Sequence, residues 1–305
     1  MGPLRLVSIV DKFEAKFQFI SNDGPLFTFL TDYNAPMFQL VQIDVNKPDK
    51  ENWKILINEQ KDKLDWAARV NRENLALCYI RDVKSVVHIH DFKSGKKLYE
   101  LPIQIGSITQ FSGKEKLSEV FFTFQSFLTP GVIYHVDLSH EKPTPKVFRE
   151  ITVNGLKASD FIMKQEFYES RDGTRIPMFI FHRKELQYDS QNPTLLYGYG
   201  GFNCAVMPFF SAARAFFPLA FNGIVAVANI RGGDEYGKTW HEAGMKENKQ
   251  NVFDDFIAAG EYLIKRNYTC RDKLIIEGYS NGGLLVAACA NQRPDLFGCV
   301  LGHVG

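Results

Sequence analysis

The chain has 305 residues, of which 45% are hydrophobic and 23% charged, proportions that exclude a mostly disordered chain, a collagen and a coiled coil. Its 36 Lys and Arg residues face 35 Asp and Glu residues, so a net charge of +1 gives no general attraction to nucleic acid or an anionic membrane. The length suggests two domains at about 150 residues each, and 26 Phe residues favour abundant β-structure.

The apolar stretches and the cysteines exclude further classes of protein. The longest apolar stretch, residues 215–230, is interrupted by Pro218, Asn222 and Gly223, so we expect no membrane span. The five cysteines are odd in number and form no C-x-x-C pair, which argues against a zinc knuckle and a disulfide scaffold. We therefore predict a cytoplasmic protein without a metal site.

Residues 1–150 consist of short strand-like runs separated by turn clusters. Three of these runs end alike, in the sequences VQID, HIHD and YHVD, and their aspartates, Asp44, Asp91 and Asp137, are 47 and 46 residues apart. About four strands in a period near 45 residues are typical of β-propeller blades, although a repetitive β-sandwich fits the same pattern. Three units cannot close a ring of four to eight blades, so we predict a partial propeller of about three blades.

Residues 151–305 alternate between strands and helices. A hairpin is predicted over residues 167–181, and buried strands over 195–199, 223–230 and 273–276, with another beginning at Cys299. Apolar residues at helical spacing predict a helix capped by Asn251, with Asp254 and Asp255 near its start, and a second helix over residues 282–291. This alternation predicts a mostly parallel sheet with helices on both faces.

A G-x-S-x-G pentapeptide, residues 278–282, lies directly between a predicted strand and a predicted helix. That position is typical of a nucleophile elbow, in which a tight turn lifts Ser280 to the edge of the sheet. The helix N-terminus behind it would let the backbone N–H of Asn281 donate to a developing oxyanion. The alternative is an ordinary glycine-rich turn with an unremarkable serine.

A second glycine-rich loop, residues 197–202, follows an earlier strand of the same sheet. Glycine pairs there would let the backbone or a Tyr hydroxyl approach a substrate closely. A turn with buried aromatic rings fits the same residues. The spacing alone leaves both interpretations open.

Several segments together resemble the prolyl oligopeptidase family. They are LYGYGGFN (196–203), ANIRGGDEYG (228–237), NKQNVFDDF (248–256), SNGGLL (280–285) and NQRPDLFG (291–298). The resemblance implies a β-propeller over residues 1–150 that caps an α/β-hydrolase domain beginning at residue 151. It also implies a cytosolic serine peptidase that cleaves short peptides after proline. By matching positions, Ser280 is the nucleophile, Tyr199 and Asn281 stabilise the oxyanion, and Phe202 lines the proline pocket.

Three departures from the family pattern stand out. Tyr279 and Asp234 occupy positions where the family usually has Gly. In α/β-hydrolases the acid and the histidine follow the nucleophile, and here only Asp295 and His303 do, neither in the family's context. We therefore expect the chain to be a fragment, with little or no peptidase activity and poor solubility on its own.

Three functions remain to be compared. The leading hypothesis is a monomeric serine peptidase of the prolyl oligopeptidase type that acts on short proline-containing peptides without a cofactor. The alternative is a non-catalytic propeller protein that serves as a binding module or scaffold. A related esterase is the third. Neither nucleic acid nor membrane is expected as a partner.

Overall fold

The computed structural model describes residues 8–305, which form three four-stranded sheets followed by one six-stranded sheet with helices. Residues 1–7 of the first predicted domain lie outside the described residues. Within 8–305, no helix combines the length and the apolar character needed to cross a membrane.

The three small sheets are antiparallel meanders in which strands adjacent in the chain are paired. Their strands are β1 (Phe17–Asp23), β2 (Leu26–Thr31), β3 (Gln39–Asp44) and β4 (Lys54–Ile57); β5 (Lys63–Val70), β6 (Asn74–Arg81), β7 (Lys84–Asp91) and β8 (Lys97–Glu100); and β9 (Ser107–Gly113), β10 (Glu119–Ser126), β11 (Thr129–Asp137) and β12 (Lys146–Ile151).

The three recurring aspartates hold equivalent positions, as predicted. Asp44, Asp91 and Asp137 end β3, β7 and β11, the third strand of each sheet. Each side chain accepts a hydrogen bond from a backbone N–H two or three residues further on, at 2.7–2.9 Å. The aspartate therefore recurs because its carboxylate closes the turn that leads into the fourth strand.

The small sheets pack face to face in chain order. Leu30 and Leu40 of the first sheet share a buried cluster with Leu75 and Leu77 of the second. A second cluster joins the second sheet to the third and includes Phe122. This stacking of consecutive four-stranded units is the packing that a series of propeller blades requires.

The six-stranded sheet is mixed, with the order β13-β14-β16-β15-β17-β18. The first three strands in this order are antiparallel, whereas β16, β15, β17 and β18 run parallel. The strands are β13 (Phe161–Glu169), β14 (Arg175–Arg183), β15 (Thr194–Tyr197), β16 (Ile224–Ala228), β17 (Leu274–Tyr279) and β18 (Cys299–His303). The chain leaves β15 toward β16 and leaves β17 toward β18, in opposite directions, so a crevice forms where β15 and β17 end.

Helices cover both faces of this sheet, as predicted. They are α1 (Ala212–Phe221), α2 (Gly237–Glu242), α3 (Gln250–Lys265) and α4 (Asn281–Gln292). Residues of α3 and α4 fill the apolar cluster on one face, whereas Phe217 and Leu219 of α1 pack on the other. Helix α1 was not predicted from the sequence, because Pro218 inside it argues against a helix.

The predicted N-cap of α3 was wrong. The helix begins at Gln250, one residue before Asn251, and the Asn251 amide instead donates 2.9 Å to the carbonyl of Ala243. Asp255 also differs from its predicted setting near the helix start. It is fully buried and bonded to Arg231.

The two parts of the chain are in direct contact. Phe127, in the turn between β10 and β11, stacks on Phe181 of β14 with ring centroids 5.4 Å apart. The third small sheet ends at Ile151 and the mixed sheet begins at Phe161. That residue 150 divides two separate domains stays a prediction.

Candidate active site

Ser280 lies at the sharp turn between β17 and α4. Its φ of 54° and ψ of −117° are strained for a residue with a side chain, and the residue is exposed. Its backbone N–H donates 2.9 Å to the carbonyl of His303, which ties the turn to the end of β18. The serine predicted as nucleophile thus sits at the rim of the sheet.

The two glycines around Ser280 are required by close backbone approach. A Cβ on Gly278 would overlap the carbonyl of Gly282, and a Cβ on Gly282 would lie 2.7 Å from the carbonyl oxygen of Gly198. Larger side chains at either position would push the serine away from the sheet edge. The pattern G-x-S-x-G therefore follows from the tightness of this turn.

Asn281 is the first residue of α4. The N–H groups of Gly283 and Leu284 donate to the carbonyl of Ser280, whereas the first N–H of a helix has no intrahelical acceptor. The backbone N–H of Asn281 is accordingly available beside the serine, at the positive end of the helix dipole.

The loop after β15 meets the serine turn in the crevice between β15 and β17. Tyr197 pairs with Glu277 in the sheet register, so the segments that follow β15 and β17 run close together. The Asn281 side chain donates 2.5 Å to the carbonyl of Tyr199 and would lie 2.5 Å from a Cβ on Gly201. Both predicted oxyanion residues are thereby linked through one side-chain amide.

Tyr199 carries the other predicted oxyanion donor. Burial, with a smaller contribution from Cys204, raises the pKa of its phenol above the ordinary value. The hydroxyl therefore stays protonated at neutral pH and can donate a hydrogen bond.

Phe202 stands in the same loop with its side chain 73% exposed and a φ of 53°. It lines a cavity of about 440 Å³ together with Asn281 and His241. An exposed aromatic wall beside a nucleophile suits an apolar ring such as that of proline.

His241 joins the loops that follow β15 and β16. It is half-buried, and its Nδ1 lies 2.7 Å from the carbonyl oxygen of Gly232 and 3.2 Å from the backbone nitrogen of Asn203. A Cβ on Gly232 would lie 2.5 Å from the carbonyl oxygen of Gly200. The loop after β16 thus packs directly on the loop that carries Tyr199. No motif in the sequence signals this contact.

Sequence reasoning also missed Lys249, which precedes α3. Its ammonium donates 2.9 Å to the carbonyl of Gly200 and 3.3 Å to Oδ1 of Asn281. The available signal was a lysine at a helix N-terminus, where the helix dipole disfavours a cation.

Asp295 and His303 are engaged elsewhere. Arg293 binds the Asp295 carboxylate with two contacts of 2.9 Å and lowers its pKa. The His303 ring stacks on Tyr279 with centroids 4.1 Å apart, and its Nε2 lies 3.7 Å from Glu277. Within residues 8–305, no group of three or more His, Cys, Asp or Glu residues is arranged to hold a metal ion.

Comparison with known proteins identifies both parts of the chain. Residues 3–149 match the N-terminal β-propeller domain of prolyl oligopeptidase, and residues 209–305 match the prolyl oligopeptidase family. A prolyl endopeptidase of Dictyostelium discoideum is 41% identical over 99% of this chain and 41% of its own length. A prolyl endopeptidase of Elizabethkingia miricola is 39% identical over 98% of this chain and 42% of its own.

Solved structures agree with this assignment. Prolyl oligopeptidase B from Galerina marginata, bound to a 35mer hydrolysis and macrocyclization substrate, superimposes with a TM-score of 0.90 at 36% identity. The match covers 96% of this chain and 41% of that one. This chain therefore spans about two fifths of the relatives that it matches. Its three small sheets are propeller blades, its mixed sheet is that of an α/β-hydrolase, and the chain belongs to the prolyl oligopeptidase family of serine peptidases.

Proposed function

We propose that this chain carries the nucleophile of a serine peptidase that cleaves short peptides on the carboxyl side of proline. The observation that supports it best is the strained, exposed Ser280 at the turn between β17 and α4. Relatives named prolyl endopeptidase, similar over nearly the whole chain, support the preference for proline.

In the proposed mechanism, Ser280 Oγ attacks the carbonyl carbon of the proline residue, and the carbonyl oxygen becomes an oxyanion. The backbone N–H of Asn281 and the hydroxyl of Tyr199 donate to that oxygen, where charge develops. Collapse of the tetrahedral intermediate breaks the C–N bond, the base returns the serine's proton to the leaving amine, and water then hydrolyses the acyl-enzyme. Phe202 packs against the proline ring before the attack.

Ser280 needs a base to accept its proton. Asp295 is held by Arg293, and His303 packs on Tyr279, so neither is assigned this role. The proposal places the acid and the histidine further along the reading frame, as in other α/β-hydrolases.

The test uses protein expressed from the reading frame extended past residue 305. We expect it to release a reporter amine after Gly-Pro but not after Gly-Ala, and we expect Ser280→Ala to reduce turnover by about 10³-fold or more. Equal cleavage after alanine, or full turnover by Ser280→Ala, would contradict the proposal. Binding of proline peptides without turnover would instead favour a binding module, and turnover of prolyl esters alone a related esterase.

We further propose that the propeller limits the size of the peptides that reach the site, so that only short substrates enter. Peptide length tests this role. A relative from Galerina marginata holds a 35mer substrate. If the propeller limits substrate size, peptides of 10, 35 and 100 residues, each with one Gly-Pro site, should be cleaved with falling efficiency. Equal rates for all three would contradict a size limit.

A further inference from the structure

Lys249 occupies an unusual place for a lysine. Its ammonium is half-buried at the start of α3, beside the cavity lined by Phe202 and Asn281. Burial lowers the pKa of Lys249, and no carboxylate among residues 8–305 forms an ion pair with it. Its hydrogen bonds go instead to two neutral oxygens, Gly200 O and Asn281 Oδ1. Burying a cation without a counter-ion costs solvation energy, so a role other than ion pairing would account for the presence of Lys249.

The chemistry of the amide gives that role. A lysine ammonium only donates hydrogen bonds, whereas an asparagine side chain has one donating and one accepting end. Lys249 therefore selects the orientation in which Oδ1 of Asn281 faces the ammonium. The Nδ2 group must then face the Tyr199 carbonyl, to which it donates at 2.5 Å. The opposite orientation would place two donors together on one side and two oxygens together on the other.

These bonds connect three segments that belong to different elements. Lys249 anchors the start of α3, Asn281 begins α4, and Tyr199 and Gly200 follow β15. The segment that follows β15 has little freedom to move, because its backbone is already closely packed: a Cβ on Gly200 would lie within 2.8 Å of Ile230. The two carbonyls of Tyr199 and Gly200 both accept from this cluster, which fixes the backbone that carries the Tyr199 side chain.

We propose that Lys249 is a positioning residue: through the Asn281 amide and the Gly200 carbonyl, it holds the Asn281 N–H and the Tyr199 hydroxyl at the separation that an oxyanion requires. This inference rests on the proposed function, because it presumes that those two groups serve an oxyanion. Lys249 itself contacts neither Ser280 nor the reacting carbonyl in this account.

The test compares Lys249→Met with Lys249→Arg, in protein from the extended reading frame. Lys265→Met is the matched control, since Lys265 is an exposed lysine at the other end of α3. We expect Lys249→Met to lower kcat for a Gly-Pro reporter by about tenfold with KM nearly unchanged, because one misplaced oxyanion donor costs up to about 10²–10³-fold. Lys249→Arg, which also donates only, should recover most of the rate, and Lys265→Met should match the parent.

A second measurement separates positioning from general stability. An acylated dipeptide that ends in prolinal forms an oxyanion with the serine, whereas the same compound ending in pyrrolidine cannot. We expect Lys249→Met to weaken aldehyde binding about tenfold and to leave pyrrolidine binding unchanged. Equal losses for both compounds, or an unchanged kcat, would overturn the inference while the proposed function stands. If Lys249→Met does not fold, the same two compounds are tested on Asn281→Ala, which keeps the backbone N–H. The same selective loss of aldehyde binding is expected. A parent protein without prolyl turnover would overturn the proposed function and this inference together.

Discussion

Two charged clusters attach to the same loop, the residues between β16 and α2, and they are built differently. In the arginine cluster, the buried carboxylate of Asp255 accepts from the Arg231 backbone N–H and guanidinium, and from the hydroxyl of Ser170. In the lysine cluster, Lys63 of the second blade pairs with Asp65 and with Asp234 of the loop. The first lies within the hydrolase sheet and its helices, whereas the second joins the propeller to them.

The clusters also differ in how completely their oxygens are bonded. Both oxygens of Asp255 have donors. Among residues 8–305, Oδ1 of Asp234 and Oε2 of the neighbouring Glu235 have none, although both atoms are buried. A saturated cluster fixes the loop, whereas an unsaturated one carries a cost that substitution can relieve. The difference predicts that removing the Asp255 carboxylate destabilises the protein, whereas removing the Glu235 carboxylate beside the lysine cluster stabilises it.

The largest effect is expected for Asp255→Asn. The substitution removes the buried one of the two carboxylates that pair with Arg231 and leaves only the exposed Asp172. We expect this to lower the free energy of unfolding by up to about 3–5 kcal/mol. Urea denaturation of the purified protein measures this change. Asp254→Asn is the control, since Asp254 is only half-buried and accepts from Gln250. Losses of similar size for both variants would contradict the special role of the arginine cluster.

Glu235→Gln should have the opposite sign. Burial raises the pKa of Glu235 from 4.5 to about 7, while its Oε1 accepts 2.9 Å from the backbone N–H of Val206. Between these values the native state binds more protons than the unfolded state, so the free energy of unfolding falls as pH rises from about 4.5 to about 7. The fall is at most about 3 kcal/mol, at about 1.4 kcal/mol per pKa unit.

Urea midpoints at pH 5 and pH 8 test this prediction. We expect Glu235→Gln to be more stable than the parent at pH 8 and to lose most of that part of the pH dependence. Glu242→Gln, at an exposed position in α2, is the matched control. A parent and a Glu235→Gln variant with the same pH dependence would rule out Glu235 as its source.

Asp234→Asn should have the smallest effect. Burial, with a smaller contribution from Asp65, raises the pKa of Asp234 although Lys63 lowers it, whereas Asp65 and Asp234 together outweigh burial and raise the pKa of Lys63. The pair thus recovers only part of the cost of burying Asp234, and Asp65 still faces Lys63 in the variant. A double-mutant cycle with Lys63→Met should give a coupling energy of about 1 kcal/mol. A coupling above about 3 kcal/mol would place this cluster in the same class as the arginine cluster.

The blades could be predicted because their signal is local. Asp44, Asp91 and Asp137 each close a turn within three residues, so the repeat is visible in the sequence. The serine turn could be predicted for the same reason. Gly278 and Gly282 are four positions apart, and a Cβ on Gly278 would overlap the carbonyl of Gly282, so the requirement for glycine is local.

The contacts that position the site could not be predicted in the same way. Lys249 meets Gly200 and Asn281 across 49 and 32 residues, and only the strand order of the mixed sheet brings them together. Asp255 was a partial exception. It shares the buried face of α3 with Val252 and Phe256, and an acid on an apolar face indicates a buried partner, but not that the partner is Arg231.

The most direct test of the account is to map the site of covalent labelling by a fluorophosphonate. Protein from the extended reading frame is labelled and digested, and the modified residue is located by tandem mass spectrometry. The account predicts a stoichiometric adduct on Ser280 that forms rapidly, is blocked by a prolinal inhibitor and is absent in Ser280→Ala. An unlabelled Ser280 in folded protein, or an adduct on another serine that prolinal blocks equally well, would contradict it.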